Sequence, residues 1–315
     1  MKPNPITDTK VKVSDIGVLI LGFNRPELLK KRITQLSSTT IEHLYISIDG
    51  GPDSHTTNME KVKQLARLKF NKQALHIFHN EKKMGLVLHI TSAISKVLKR
   101  HNYVIVIEDD VILADNFIEN MTSGLNFQKK CGQLGIVSGG SPIYSNKFNN
   151  KWRTIYTPSA WGWACSAKTW SGYKYDLGDT EINKHISESE TWRHLNKTEK
   201  IFWLGKFNKI KKNPLYTWEY QLIFHLFKNN YASLAPIFSL TGNEGFGDTR
   251  AVHTQGNKPK HIANHRLNNR LITKTSKNPQ IYKYLNKENW KNLIKSNFTK
   301  TINHTSKYLL KKNFR

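Results

Sequence analysis

A chain of 315 residues that is 38% hydrophobic can bury a sizeable core, as one large α/β domain with additions or as two modest ones. Its mean hydropathy of -0.56, and the lack of any apolar run near the roughly 18 residues of a membrane span, argue against a transmembrane protein. The formal net charge is +26, and it gathers late: from Asn257 to Arg315 fifteen Lys and Arg face one acid, Glu288. Such a segment suits nucleic acid, an anionic membrane surface or an acidic polymer; abundant Lys, Asn and Ile equally fit an AT-rich coding sequence. Cys131 and Cys165 make no disulfide framework, and Met1 to Asp15 hold no apolar core of a secretory leader, so a reducing cytoplasm is the expected setting.

The first half reads as strands alternating with helices. Ile16 to Leu21 is a continuous apolar run, as in a strand covered on both faces. It ends at Gly22-Phe23-Asn24-Arg25-Pro26-Glu27, where Asn24 or a neighbour can cap a helix, Pro26 suits its first turn and Glu27 its positive dipole end. Leu28, Leu29, Ile33 and Leu36 follow at helical spacing. Leu44 to Ile48 is a second strand, stopped by Asp49-Gly50-Gly51-Pro52, and a helix is expected from about Met59 to Phe70. Leu75 to Phe78 is a third strand, Leu86 to about Arg100 a helix, and Tyr103 to Ile107 a fourth strand running into Glu108-Asp109-Asp110. Asp115 to Gln128 reads as helix and Gly135 to Ser138 as strand. Strands separated by helices imply parallel βαβ units, whose ligands bind beyond the carboxyl ends of the strands. Arg25, Asp49 and the three acids all fall at such ends.

The second half is less regular. Thr157 to Trp170 is aromatic and punctuated by glycine. Thr180 to Asn213 is polar with helical stretches, as a lid or an insertion would be. Trp218 to Phe227 reads as helix, Tyr231 to Leu240 as strand, and Asn243 to Asp248 as a glycine-rich loop.

Three adjacent acids closing a buried strand repel one another, and desolvation adds to the cost. Something cationic or hydroxyl-rich is expected to offset them, unless they form a solvated turn. In extended geometry Glu108 and Asp110 share one side and Asp109 takes the other. Carboxylate oxygens suit Mg2+ or Mn2+ carrying a nucleotide diphosphate, and His253 is a candidate second ligand or a structural histidine. Arg25 can fork onto a phosphate or base carbonyl, with Asn24 beside it, or pair with Glu27. Asp49 can bond a ribose or base N–H, or close an Asx turn into Gly50. Lys83 and Gly85 lie in a loop able to approach phosphate. Glu219, flanked by Trp218 and Tyr220 at a helix start, is either a general base with a raised pKa or a residue serving the helix dipole. Trp161-Gly162-Trp163 offers flat faces to a sugar or base, or packs in the core. A triple-glycine dinucleotide turn, a P-loop and a Gly-x-Ser-x-Gly elbow are absent from the sequence.

Six blocks from about Ile16 to Thr254 carry a resemblance: Val18 to Pro26; Ile46 to Gly50; Val104 to Asp110; Ala160 to Trp163 leading to Lys168-Thr169-Trp170; Thr217 to Gln221; and Gly245 to Gly247 with His253-Thr254. In this order they resemble the GT-A glycosyltransferases, in particular the N-acetylglucosaminyltransferase I group and bacterial homologues. The resemblance implies a GT-A, Rossmann-like, mainly parallel α/β sheet flanked by helices over residues 1–255. Its nucleotide-binding part spans about 16–140 and its acceptor-binding part about 141–255, with 256–315 as a basic, partly helical extension.

It further implies inverting transfer from a nucleotide-sugar, of uridine diphosphate type. Arg25 and Asp49 would contact the nucleotide, and Glu108 and Asp109 the ribose or donor sugar. Asp110 would meet Mn2+ or Mg2+, and Glu219 would be the base; many relatives carry Asp there. The expected acceptor is a glycan or a lipid-linked hydroxyl, such as a growing lipopolysaccharide or capsule glycan. Trp290, Leu293, Ile294, Phe298, Tyr308, Leu309 and Leu310 among the tail lysines would allow peripheral attachment to the inner face of a membrane. Two other readings compete: a basic nucleic-acid-binding protein, disfavoured because the acids would repel a polyanion, and a catalytically silent sugar-binding module on the same fold.

Overall fold

The computed structural model describes residues 10–51, 53–71, 74–141, 151–178, 182–250, 267 and 269–275. The amino-terminal half alternates as its apolar periodicity requires: β1 (Ile16–Gly22), α1 (Pro26–Leu36), β2 (His43–Ile48), α2 (Asp53–Lys69), β3 (Ala74–His79), α3 (Leu86–Leu98) and β4 (Tyr103–Glu108). β5 (Val111–Leu113), α4 (Phe117–Cys131), β6 (Leu134–Ser138), β7 (Lys151–Ile155), β8 (Trp163–Ser166) and α5 (Ala167–Trp170) follow. The carboxyl-terminal part holds α6 (Ile182–Ser187), α7 (Glu190–Arg193), α8 (Lys197–Lys212), α9 (Glu219–Lys228), β9 (Ala232–Pro236), β10 (Thr241–Asn243) and β11 (Lys274–Thr275).

Nine strands form one sheet in the order β11-β7-β9-β6-β8-β4-β1-β2-β3, and β5 pairs with β10 in a separate ribbon. β3, β2, β1 and β4 are mutually parallel, with Leu21 opposite Glu108 and Gly22 opposite Ile48. This is the mainly parallel, helix-flanked α/β sheet expected from the sequence. β8 runs antiparallel between β4 and β6. Its four residues were hidden in the aromatic Thr157–Trp170 stretch, because a strand so short carries no readable alternation.

Every residue of β1 is buried, so its side chains feed two cores. Val18, Ile20, Ile105 and Ile107 pack under α1, α2 and α4, while Leu19, Leu21, Val104 and Val106 pack under α3 and the later helices. The segment read as a lid or insertion is part of this second core. Trp192, Leu195, Trp203, Phe207 and Ile210 are buried there against Phe224 and Phe227 of α9. A reciprocal capping box between Asn196 and Glu199 starts α8, with backbone-to-side-chain bonds of 2.9 and 2.7 Å.

α2 begins at Asp53, earlier than the apolar pattern indicated, because its first turns are polar. The stretch Tyr231–Leu240 is not one strand: it holds β9, and β10 starts just beyond it. The sheet also draws its outermost strand, β11, from the segment read as a basic tail. Ile272 is fully buried and its backbone is held by Asn120 and Ser123 of α4. Among the described residues no helix is long and apolar enough to cross a membrane.

Candidate active site

A cleft opens at the carboxyl ends of β1 and β4, lined by Phe23, Asn24 and Arg25, by Glu108, Asp109 and Asp110, and by Trp161, Trp218 and Glu219. The parallel register places the first two groups side by side: the Asp109 N–H donates to the Leu21 carbonyl at 3.0 Å. β4 ends at Glu108, and the chain turns there. The strand alternation therefore stops, and Asp109 and Asp110 both reach Arg25 instead of pointing apart. Arg25 Nη2 donates to Asp109, and Nη1 to Asp110 Oδ2 at 3.0 Å. Glu27, the alternative partner, is taken by Arg250.

The cost of crowding these acids shows in their protonation. Asp109 is 3% exposed, and burial outweighs the Arg25 charge, raising its pKa to about 7. Glu108 is pushed well above the carboxylate range by burial, then by Asp110, Asp109 and Glu219. Arg25 is held more firmly protonated: burial disfavours its charge, and the two aspartates more than offset that. Glu219 at the start of α9 is raised to about 7 by burial, against the pull of Lys206. Carboxyls raised by burial in a cleft are candidates for proton transfer, though structural ion-pair networks also raise them.

The β5–β10 ribbon brings a third chain segment over the acids. Val111 pairs with Asn243, the Glu244 N–H donates to the Asp110 carbonyl at 2.9 Å, and Gly245 follows. A Cβ on Gly245 would lie 2.3 Å from Asp110 Oδ2 and 3.0 Å from Arg25 Nη1, so only glycine admits this approach. Glu244 is anchored by Arg32 at 2.7 Å and Lys31 at 2.9 Å. Arg250, which also lines the cleft, binds Glu27, Asp248 at 2.8 Å and the Asn24 carbonyl at 3.3 Å.

The remaining sequence candidates separate. Asp49 is buried and closes the Asx turn: Oδ1 accepts from the N–H of Gly50 and Met84, and Oδ2 from Gly85. It shapes the loop before α3 and is not among the cleft-lining residues. Gly85 has φ +85°, which glycine adopts freely, and Lys83 lies over the Phe23 ring at 4.9 Å, at the cleft rim. Trp161 faces the cleft and meets Phe246 edge-on at 5.9 Å. Trp163 is fully buried, stacked at 5.5 Å on Trp218, and belongs to the core. Trp218 is 4% exposed, yet still borders the cleft. Gly162 lies behind it, its carbonyl accepting from the Gly139 N–H at 2.7 Å. His253 lies outside the described residues, as do the apolar residues of the tail from Trp290 to Leu310.

Sequence reasoning passed over Arg250, Asn243 and His89, all cleft-lining. His89 is buried, bonds Ser47 at 2.9 Å and is held neutral by burial. Only the neighbouring glycine-rich loop hinted at the first two, and nothing local marked the third.

The donors present are carboxylate oxygens, and among the described residues no group of three or more His, Cys, Asp or Glu is placed to hold a metal ion. Asp110 offers the carboxylate oxygens that Mg2+ and Mn2+ take, one of which, Oδ2, already accepts from Arg25.

No family model matches the sequence, and no curated protein matches it. Solved structures do match. A mannosyltransferase from Pyrobaculum calidifontis, in complex with GDP-mannose and Mn2+, aligns at 12% identity and TM-score 0.39, over 55% of this chain and 51% of its own. Glucosyl-3-phosphoglycerate synthase from Mycobacterium tuberculosis aligns at 11% identity and TM-score 0.33, over 49% of this chain and 57% of its own. 4-Diphosphocytidyl-2C-methyl-D-erythritol synthase from Anaerococcus prevotii aligns at 9% identity and TM-score 0.36, over 62% and 83%. The chain thus spans little more than half the length of the first two.

Proposed function

We propose that this protein is a glycosyltransferase that moves a sugar from a nucleotide-sugar to an acceptor hydroxyl with inversion, and that Glu219 is its general base. The observation that carries the reading is the meeting of Glu219 with Arg25 and the Glu108-Asp109-Asp110 triplet. These groups are far apart in sequence, yet the Glu219 charge acts directly on Glu108 within one cleft.

In the proposed reaction the acceptor oxygen attacks the anomeric carbon, and its proton passes to a Glu219 carboxylate oxygen. The bond from that carbon to the diphosphate oxygen breaks, and the diphosphate leaves with the electron pair. Arg25 stands at the acids and can share its fork with the phosphates as charge develops there. Glu108, pushed toward its neutral form by burial, and Asp109, raised to about 7, can donate to or accept from sugar hydroxyls. Trp161 and Trp218 offer the flat walls against which a sugar ring is oriented. Asp110, with His253 as a further candidate, would hold Mn2+ or Mg2+. When bound, that ion would supply Lewis-acid stabilisation of the departing diphosphate.

The sequence resemblance supports a uridine diphosphate-linked donor and a glycan or lipid-linked acceptor. Its six blocks reach only to about Thr254; the basic segment beyond lies outside the resemblance, and its own lysines and apolar residues are what support contact with an anionic membrane surface. Glu219→Gln keeps the side chain's size and removes its basicity. Transfer is expected to fall by about a hundredfold or more, while calorimetric affinity for the nucleotide-sugar is unchanged. Undiminished transfer in this variant would falsify the base assignment.

A further inference from the structure

We propose that Lys206, held between aromatic rings of α8 and α9, is a positioning residue that keeps Glu219 in its carboxylate form. The inference rests on Glu219 being the general base. Lys206 lies four residues after Phe202 on α8, and its ammonium sits 4.8 Å from that ring. On its other side it lies 5.2 Å from the ring of Tyr220, the residue next to Glu219 in the first turn of α9. The two helices are locked together by Trp203 against Tyr220 at 6.0 Å and Phe207 against Phe224 at 5.3 Å. A lysine free to extend into water would be screened. This one is half-buried among rings, where a charge acts over a longer range.

The electrostatics agree in direction. Burial disfavours the Lys206 charge, and Glu219 and Tyr216 favour it, against Lys209. In return Lys206 opposes the burial that drives Glu219 toward its neutral form. The other ionisable groups near Glu219 push the same way as burial or are engaged elsewhere. The Glu108 and Glu219 charges repel each other, and burial holds the Tyr220 phenol neutral. Arg25 is committed to Asp109 and Asp110, and Arg250 to Glu27 and Asp248. Lys206 is the cation whose charge acts against the burial of Glu219, favouring its carboxylate form.

The test compares the full-length protein with Lys206→Met, which preserves the packing, and Lys206→Arg, which preserves the charge. The Glu219 carboxyl is titrated by carbon-13 NMR, its resonance identified by its loss in Glu219→Gln, and the pH profile of kcat/KM is measured alongside. Removing an opposite charge at this range raises a carboxyl pKa by about one pH unit. Lys206→Met should move both the NMR midpoint and the acidic limb of the profile upward by that amount. The rate would then fall roughly tenfold at pH 6 and recover at pH 9. Lys206→Arg should restore both midpoints.

An unmoved midpoint in a folded Lys206→Met protein overturns the proposal, as does a pH-independent rate loss that marks a packing role alone. Lys206→Gln serves in its place if the methionine variant does not fold. If Glu219→Gln still transfers sugar, the base reading falls by itself, and the NMR midpoint continues to decide whether Lys206 holds the carboxylate.

Discussion

Asp109 is the clearest case of stability given up at the cleft, and Asp109→Asn measures it. The carboxyl is raised from its ordinary 3.8 to about 7, chiefly by burial. A folded-state pKa above the unfolded one means that the native protein binds the extra proton. The associated stability is fully present below pH 3.8 and is lost as pH rises through about 7. About three pH units at 1.36 kcal/mol each give about 4 kcal/mol of destabilisation at pH 8 relative to a neutral group.

Asparagine has the same shape, stays neutral, and can still accept from Arg25. The pKa of about 7 already contains the pull of Arg25 on the charged form, so the gain at pH 8 is the whole of that difference, about 4 kcal/mol. At about 2 to 4 °C per kcal/mol for a large domain, that raises Tm by about 8 to 16 °C. At pH 4, where Asp109 is already protonated, the variant and the parent should melt together. The assay is a calorimetric melt of both proteins from pH 4 to 9, alongside nucleotide-sugar binding, which should weaken in the variant. A variant that melts lower than the parent at pH 8, or a Tm difference that does not change with pH, would refute the reasoning.

Three further expectations concern neighbouring residues. Trp163→Ala empties a fully buried site in the Trp218 stack and should cost about 3 to 5 kcal/mol in urea denaturation. Trp161→Ala, at the cleft wall, should cost about 1 kcal/mol or less and act on the KM for donor or acceptor instead. Asp110→Ala should abolish the Mn2+-dependent part of nucleotide diphosphate binding, read by calorimetry with and without the ion. Equal affinities in both conditions for parent and variant would remove Asp110 from the metal site.

Much of this arrangement was legible in the sequence, because its causes are local. Continuous apolar runs ending in Gly22, Asp49 and Glu108 specify buried parallel strands, and parallel strands bring their carboxyl ends to one edge. Arg25 and the acid triplet therefore converge by topology alone. The glutamate between Trp218 and Tyr220 could likewise be singled out from its neighbours before any contact was known.

What the chain order could not express was partnership across distance. Whether Arg25 would take Glu27 or the two aspartates depended on the turn after Glu108. Asp49, similar in setting to the other acids, is instead consumed by backbone N–H groups of the loop before α3. Trp161 and Trp163 look alike in sequence, and only the insertion of β8 into the sheet sends one to the cleft and the other to the core. Lys206 reads as one of many lysines until α8 and α9 pack and bring its charge over Tyr220, the neighbour of Glu219. Local periodicity sets which face of a strand or helix is apolar; which charge meets which depends on long-range packing, and that is decided only when the whole chain has folded.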